Sequence, residues 1–411
     1  MTGLDSTTGP GSRTGPDSPA EAGLARPGLL INSAALRRLP DVTRTRAPLE
    51  VHRRLPGYAP TPLTRCPDLA AQLGVAEVWV KDESWRLGLP AFKMLGASYA
   101  CYRALTSRLG HQVRWGSVGE LAAGLSSLGS LTLCAATDGN HGRAVARMAR
   151  LLGLRAVIYV PEEMAAPRIE AITSEGALVT VVPGGYDAAV RRSAQDASDS
   201  CIVVSDTSWP GYTQIPGWVI DGYSTVFAEV RDQLAEAGRA EPDIVVIPVG
   251  VGALAGATIR HYKAGDVTHP PMLLGVEPES ARCVTESLRA GHLVTLPFPQ
   301  TSIMAGLNCG TPSQVAWPLV SRGIDAMAVV SDGWAMAAMR SLAAAGIVAG
   351  ETGAAALAGL RAICADPAGD AVRAALQLGP GSRVLLLCTE GATDPEAWER
   401  IVGYPVPETA R

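Results

Sequence analysis

Chemistry that needs a lysine amine has three candidates in this chain. Although Lys and Arg together number 35, the lysines are Lys81, Lys93 and Lys263. A preference for Arg and Ala explains the scarcity without reference to function, but the list is short. Lys93 stands in Leu89-Pro90-Ala91-Phe92-Lys93-Met94-Leu95-Gly96-Ala97, behind a proline and ahead of helix formers. That context predicts a place near a helix N-terminus, where the helix field and burial beside Phe92 and Met94 both disfavour an ammonium. An amine so placed can act as a Schiff-base nucleophile; taken alone, it could equally be a lysine that snorkels to water.

Two further segments carry chemistry. In Ala136-Thr137-Asp138-Gly139-Asn140-His141-Gly142-Arg143, small residues bracket three polar side chains, so backbone can approach a ligand while Asp138, Asn140 and His141 face it. Asp138 could serve as general acid or base and Asn140 as a hydrogen-bond partner; an ordinary turn with an N-cap accounts for the pattern as well. Val246-Ile247-Pro248-Val249 then leads into Gly250-Val251-Gly252-Ala253-Leu254-Ala255-Gly256. Strand, glycine turn and helix present free N–H groups and a helix dipole to a phosphate. A dinucleotide loop has this form too, and Glu277 lies about twenty positions beyond the fingerprint's end, where such loops keep an acid.

These segments require elements to hold them. Short aliphatic runs alternate with Ala- and Arg-rich stretches, predicting strands over Glu77–Lys81, Leu131–Ala136, Ala156–Val160, Leu178–Val182, Cys201–Ser205, Asp243–Pro248, Met272–Glu277, Met327–Val330 and Arg383–Cys388. Helical patterns lie between them, as at Asn140–Leu152 and Tyr223–Ala237. Continuous apolar strands separated by helices indicate α/β architecture, with parallel sheets covered on both faces. The strand number predicts two sheets, hence two α/β domains with a ligand cleft between them. Residues 1–28, rich in Gly, Pro, Ser and Thr, read as a disordered tail.

Composition excludes other classes. The 411 residues are 47% hydrophobic and 18% charged with net charge −4, enough for a large core and without the basic stripe of a nucleic-acid binder. The apolar run Ile244–Ile259 is too short for a membrane span and is broken by Pro248 and glycines. No signal-peptide pattern is expected at the start. The eight cysteines include no CxxC pair and the six histidines no metal-binding spacing, so neither a metal site nor a disulfide scaffold is expected and a reducing cytoplasm is the default.

Together the motifs resemble the fold type II pyridoxal 5'-phosphate (PLP) enzymes, which include threonine dehydratase and cysteine synthase. Within that group the chain is similar to the diaminopropionate ammonia-lyases. The resemblance rests on AFKMLGASYA (Ala91–Ala100), ATDGNHGRAVA (Ala136–Ala146), DTSWPGYTQIPGWVIDGYST (Asp206–Thr225), PVGVGALAG (Pro248–Gly256), GVEPESARC (Gly275–Cys283), SIMAGLNCGTPS (Ser302–Ser313) and LLLCTEGATDPEAW (Leu385–Trp398). It extends from about residue 45 to the C-terminus. It implies two interleaved three-layer α/β domains with mainly parallel sheets and the cofactor in the cleft between them. Residues 29–100 and 226–411 would form the large PLP-binding domain and 101–225 the small one.

The resemblance also implies roles. Lys93 would hold PLP as a Schiff base and shuttle protons, with Phe92 beside it. Asn140 would contact the ring hydroxyl, and the loop of Gly250, Val251, Gly252, Ala253 and Leu254 the phosphate. Thr389 would bond the pyridine nitrogen, a neutral partner that suits β-elimination. Asp138 would be a second acid or base, so that Lys93 and Asp138 serve both enantiomers of 2,3-diaminopropionate. Thr137, Asp138, Tyr186, Asp206 and Ser302 would meet the substrate, a small amino acid. The expected products are pyruvate and ammonia, released by way of aminoacrylate. A homodimer is expected, and Cys283 with Cys309 marks a place where such enzymes can carry a disulfide, thiols being favoured here. Ala91 stands where much of the wider group has Ser, and Pro90, Asn308 and Gly391-Ala392-Thr393 are less typical. A β-elimination or β-replacement enzyme acting on a modified diaminopropionate or O-substituted serine, a threonine or serine dehydratase, and a non-catalytic binding protein are the rival readings.

Overall fold

The computed structural model describes residues 24–137 and 139–408. Its strands are β1 (Gly28–Ile31), β2 (Leu63–Arg65), β3 (Glu77–Asp82), β4 (Thr132–Ala136), β5 (Arg155–Pro161), β6 (Leu178–Val182), β7 (Cys201–Val203), β8 (Ile244–Pro248), β9 (Met272–Pro278), β10 (Ala326–Val330) and β11 (Arg383–Cys388). A seven-stranded sheet runs β1-β10-β9-β8-β11-β3-β2, and a four-stranded sheet runs β6-β5-β4-β7. The chain therefore starts in the larger sheet, crosses to build the smaller one, and returns. Interior pairings are parallel, as in Val245 opposite Leu273 and Leu133 opposite Ala156. Only the edge strands β1 and β2 run antiparallel to their neighbours.

Sequence dictates this arrangement through burial. β8 is Ile-Val-Val-Ile-Pro with every residue buried, the pattern of a strand covered on both faces. The expected strands are all present, Leu178–Val182 and Arg383–Cys388 with the same ends, whereas Cys201–Ser205 stops at Val203. β1 and β2 were not foreseen. They are short, and their ladder bonds depend on a partner distant in sequence. β1 also corrects the extent of the N-terminal tail. Trp334 Nε1, on the helix Asp332–Ala344, donates to the Ala25 carbonyl at 2.9 Å and Gly28 pairs with Val329, so the chain is already held against the larger lobe at Ala25 and joins its sheet at Gly28. The rest of that expectation, residues 1–23, lies outside the described residues.

The helix Lys93–Leu109 lies between the two lobes and ends at Gly110, whose φ of 82° closes it with a left-handed cap. It packs against the helices Asn140–Leu151 and Gln214–Gly222. At the second crossing a Cβ on Gly96 would stand 2.5 Å from Tyr223 Cε1, and one on Gly222 2.5 Å from the Leu95 carbonyl oxygen. Two glycines thus let the backbones approach closely.

Ligands of parallel α/β sheets collect beyond the carboxyl ends of the strands. Here the segment after β3 leads to Lys93, that after β4 to Asn140, and that after β7 to Asp206. The segments after β8 and β11 begin the glycine loop and supply Thr389. Both sheets send their strand ends to one cleft.

Candidate active site

Lys93 separates from the other lysines by what surrounds it. Lys81 is fully buried, with Nζ on Glu229 Oε2 at 2.8 Å, the Thr61 carbonyl at 2.8 Å and Gln233 Oε1 at 2.9 Å. Lys263 is also fully buried, paired with both oxygens of Asp325. Lys93 is the first residue of its helix and lines a cavity together with Phe92, Asn140, Tyr186, Asp206, the loop Gly250–Leu254 and Thr389. Residues expected from the sequence to share a site therefore share a wall.

The Lys93 amine donates to Asp206 Oδ2, and Tyr186 donates to Oδ1 of the same carboxylate at 2.8 Å. Burial works to raise the Asp206 pKa, but the charges of Lys93 and His141 and the two hydrogen bonds outweigh it and hold the carboxyl well below the usual range. The helix field expected to disfavour the Lys93 ammonium is thus opposed by a buried anion. His141 is buried too, and its Nε2 donates to the Val204 carbonyl at 2.8 Å. Burial first, and then the Lys93 charge, keep His141 below its ordinary pKa, leaving Nδ1 as a lone pair without a partner among the described residues.

At the far side of the cavity, Gly252 takes φ +93° as N-cap of the helix Ala253–Tyr262, a conformation that favours glycine. The first intrahelical bond here runs from Gly256 N to the Gly252 carbonyl at 2.8 Å. The N–H groups of Ala253, Leu254 and Ala255 have no intrahelical acceptor. A Cβ on Gly250 would stand 3.2 Å from Cys309 Sγ and 3.3 Å from the Gly306 carbonyl oxygen, so bare backbone shapes this cradle. Thr389 is 3% exposed and its hydroxyl donates to the Thr352 carbonyl at 3.4 Å.

The dinucleotide alternative fails at Glu277. Its carboxylate is fully buried and accepts from the Val284 and Thr285 amides at 2.8 Å and from the Thr285 hydroxyl at 2.6 Å. It caps the helix Cys283–Ala290 from a fully enclosed position where no ribose can reach it.

Two expected substrate contacts sit elsewhere. The Thr137 hydroxyl accepts from the Gly139 and Gly142 amides at 2.9 Å each and builds the turn. Ser302 donates to Asp332 Oδ1 at 2.5 Å and accepts from the Met304 amide at 3.1 Å, which fixes its own loop. Neither lines the cavity. Asp138 lies outside the described residues. Among those residues there is no disulfide, and Cys283 Sγ lies 4.0 Å from the Gly250 carbonyl oxygen. No cluster of three or more potential metal ligands is found among them.

Among the wall residues outside the expected set, three carry side-chain oxygens: Tyr223, Thr352 and Glu390. Tyr223 packs on Phe92 with ring centroids 4.6 Å apart. Glu390 directly follows Thr389 and accepts from Asn140 Nδ2. Both were visible inside the motifs DGYST and CTEG; Thr352, in GETG, had no such signal.

A lysine amine at a helix start, a bare-backbone anion cradle and a buried hydroxyl, all on one cleft between parallel sheets, define a PLP enzyme of fold type II. The residues fit that cofactor, since the cradle offers a phosphate N–H groups that have no intrahelical acceptor and only Lys93 among the lysines lines the cavity. The chain matches the pyridoxal-phosphate dependent enzymes over residues 54–390. It is 37% identical to the diaminopropionate ammonia-lyase of Escherichia coli K12 over 361 residues, 86% of this chain and 89% of that one. The Salmonella typhimurium diaminopropionate ammonia-lyase is 35% identical over 365 residues, 86% and 90% of the two chains. The crystal structure of the Escherichia coli enzyme with D-serine superposes with a TM-score of 0.84 at 34% identity, covering 92% of this chain and 97% of that one. The chain belongs to the diaminopropionate ammonia-lyase family of PLP-dependent enzymes.

Proposed function

We propose that the protein eliminates ammonia from 2,3-diaminopropionate and yields pyruvate and a second ammonia after hydrolysis of the released aminoacrylate. One water enters and two ammonia molecules leave, so the reaction needs no oxidant. The observation that carries the reading is the Lys93 amine on the cavity wall, beside a buried carboxylate and opposite a phosphate cradle. When bound, PLP supplies the electron sink for charge developing at the substrate α-carbon.

The chain's own residues supply the rest. The backbone of Gly250–Leu254 holds the phosphate, Asn140 meets the ring hydroxyl and Thr389 faces the ring nitrogen with a neutral hydroxyl. Lys93 Nζ takes the α-proton from one face. Asp138, which follows β4 in the sequence, is assigned the other face and the proton that the departing β-amine needs. Asp206, held by the Tyr186 hydroxyl, is assigned to receive the substrate ammonium in place of the Lys93 amine. An aminoacrylate-PLP azomethine has been captured in the Escherichia coli relative, and this supports elimination as the first outcome. Assembly as a homodimer in the cytoplasm accompanies the proposal; among the described residues no helix is long and apolar enough to cross a membrane.

The test is pyruvate release from L- and D-diaminopropionate, with serine and threonine as controls, repeated with added thiols and amines to expose β-replacement. Pyruvate from diaminopropionate is expected. Lys93→Ala should abolish both the reaction and the visible band of the bound cofactor. Asp138→Asn should remove activity towards one enantiomer. A cofactor-loaded protein that releases no pyruvate from either enantiomer would sink the proposal.

A further inference from the structure

Glu390 is a carboxylate on the cavity wall with no part in the chemistry above. It is 2% exposed and tightly fixed by the larger lobe. Its carbonyl oxygen accepts from the Gly350 amide at 3.0 Å, and the next residue's amide, Gly391 N, donates to the Pro90 carbonyl at 3.0 Å. Its own backbone bridges to Ala91, two residues before Lys93. A Cβ on Gly353 would stand 2.2 Å from the Glu390 carbonyl oxygen, so bare backbone at Gly353 packs directly against this segment. Its side chain reaches across the cleft, where Oε2 accepts from Asn140 Nδ2 while Oε1 takes the Thr352 amide at 3.3 Å.

That bond decides which way the Asn140 amide points. An ionised carboxylate can only accept, so it must face the NH2 end of the amide and not the carbonyl. One Nδ2 hydrogen is used on Glu390 and the other remains for the cavity. The distinction matters for the cofactor, because an N–H favours an anionic ring oxygen, whereas a carbonyl would require a proton on that oxygen. We propose that Glu390 is a positioning residue that locks the Asn140 amide with its N–H towards the PLP ring hydroxyl, and so sets both the retention of the cofactor and the ionisation of that oxygen. The inference rests on the assignment of Asn140 to the ring hydroxyl made above.

A double-mutant cycle on the holoenzyme tests it, using Asn140→Ala, Glu390→Ala and the pair, with PLP itself as probe. The readouts are the PLP dissociation constant and the pH dependence of the visible band. Loss of a charge-assisted bond should weaken PLP retention by about ten- to a hundredfold in Asn140→Ala, with a shifted pH midpoint. Glu390→Ala should reproduce much of that loss, and adding it to Asn140→Ala should change either readout by less than about threefold, since coupled residues are non-additive. Glu390→Gln keeps an acceptor oxygen and should fall between wild type and Glu390→Ala, so it serves the same cycle if the alanine variant does not fold. Two multiplying losses would mean that Glu390 acts through Thr352 and the fold, and would overturn the proposal. So would a Glu390 variant with wild-type band and retention. An Asn140→Ala protein indistinguishable from wild type would overturn the assignment of Asn140, a result separate from whether diaminopropionate yields pyruvate.

Discussion

Glu229→Gln should destabilise the protein by about 3–5 kcal/mol at neutral pH, the usual cost of removing one partner from a buried ion pair. Glu229 is 3% exposed and accepts from Lys81 Nζ at 2.8 Å, from both Arg86 Nη atoms at 2.7 Å, from the Tyr58 hydroxyl at 2.9 Å and from the Thr61 amide at 3.2 Å. With the glutamine, Arg86 keeps Glu83, to which its Nε donates at 2.7 Å. Lys81 keeps only the neutral oxygens of Thr61 and Gln233. Its escape is to lose the proton. From an ordinary lysine pKa near 10.4, deprotonation costs about 4.6 kcal/mol at pH 7 and about 2 kcal/mol at pH 9. That sets a ceiling on the ionic penalty. Burial already lowers the Lys81 pKa in the wild type, and loss of Glu229 lowers it further. The folded variant then binds fewer protons than the unfolded chain over a wider window, so its stability rises with pH relative to wild type. Urea unfolding of both proteins at pH 7 and pH 9, at one PLP concentration, reads the difference. A loss below about 1 kcal/mol at pH 7, or a gap that does not narrow by pH 9, would refute the reasoning.

Gly96→Ala should cost about 1–3 kcal/mol by overpacking, because its Cβ would stand 2.5 Å from Tyr223 Cε1 and 2.8 Å from Val219 Cγ1. Tyr223 lines the cavity, so PLP titration should weaken alongside the melting temperature. Glu351 is 6% exposed, and burial with the neighbouring Glu390 charge pushes its carboxyl from an ordinary 4.5 up to about 7. Between those values the folded state holds a proton that the unfolded chain releases, so this group makes stability fall as pH rises from 4.5 to 7. Glu351→Gln should flatten that part of the profile; melting temperatures at pH 5 and pH 7.5 that fall equally in both proteins would contradict it.

Much of this architecture is legible in the sequence because buried parallel strands need unbroken apolar runs, as β8 and β11 show. The edge strands carry no such signature. β2 has three residues, Leu63-Thr64-Arg65, between Pro62 and Pro67, and only β3 makes it a strand. The same division holds at the site. Lys93, Asn140 and the glycine loop announce themselves by local spacing, since each must meet a helix start or a tight turn. Glu390 does not, because its partner Asn140 is 250 residues away in sequence and only the closing of two sheets brings them together. Thr137 and Ser302 show a different limit. A hydroxyl among chemistry-bearing residues can also serve its own loop, as both do by accepting nearby backbone amides.

The placement of the three lysines has a practical side. Lys81 and Lys263 are wholly enclosed, while the Lys93 side chain keeps 16% exposure within the cleft. To an amine-acylating reagent the folded protein is close to a one-lysine molecule, with the cofactor's own attachment point as its handle. Coupling to resins or dyes through surface lysines will fail or poison the site, and any covalent tag should be directed to other side chains.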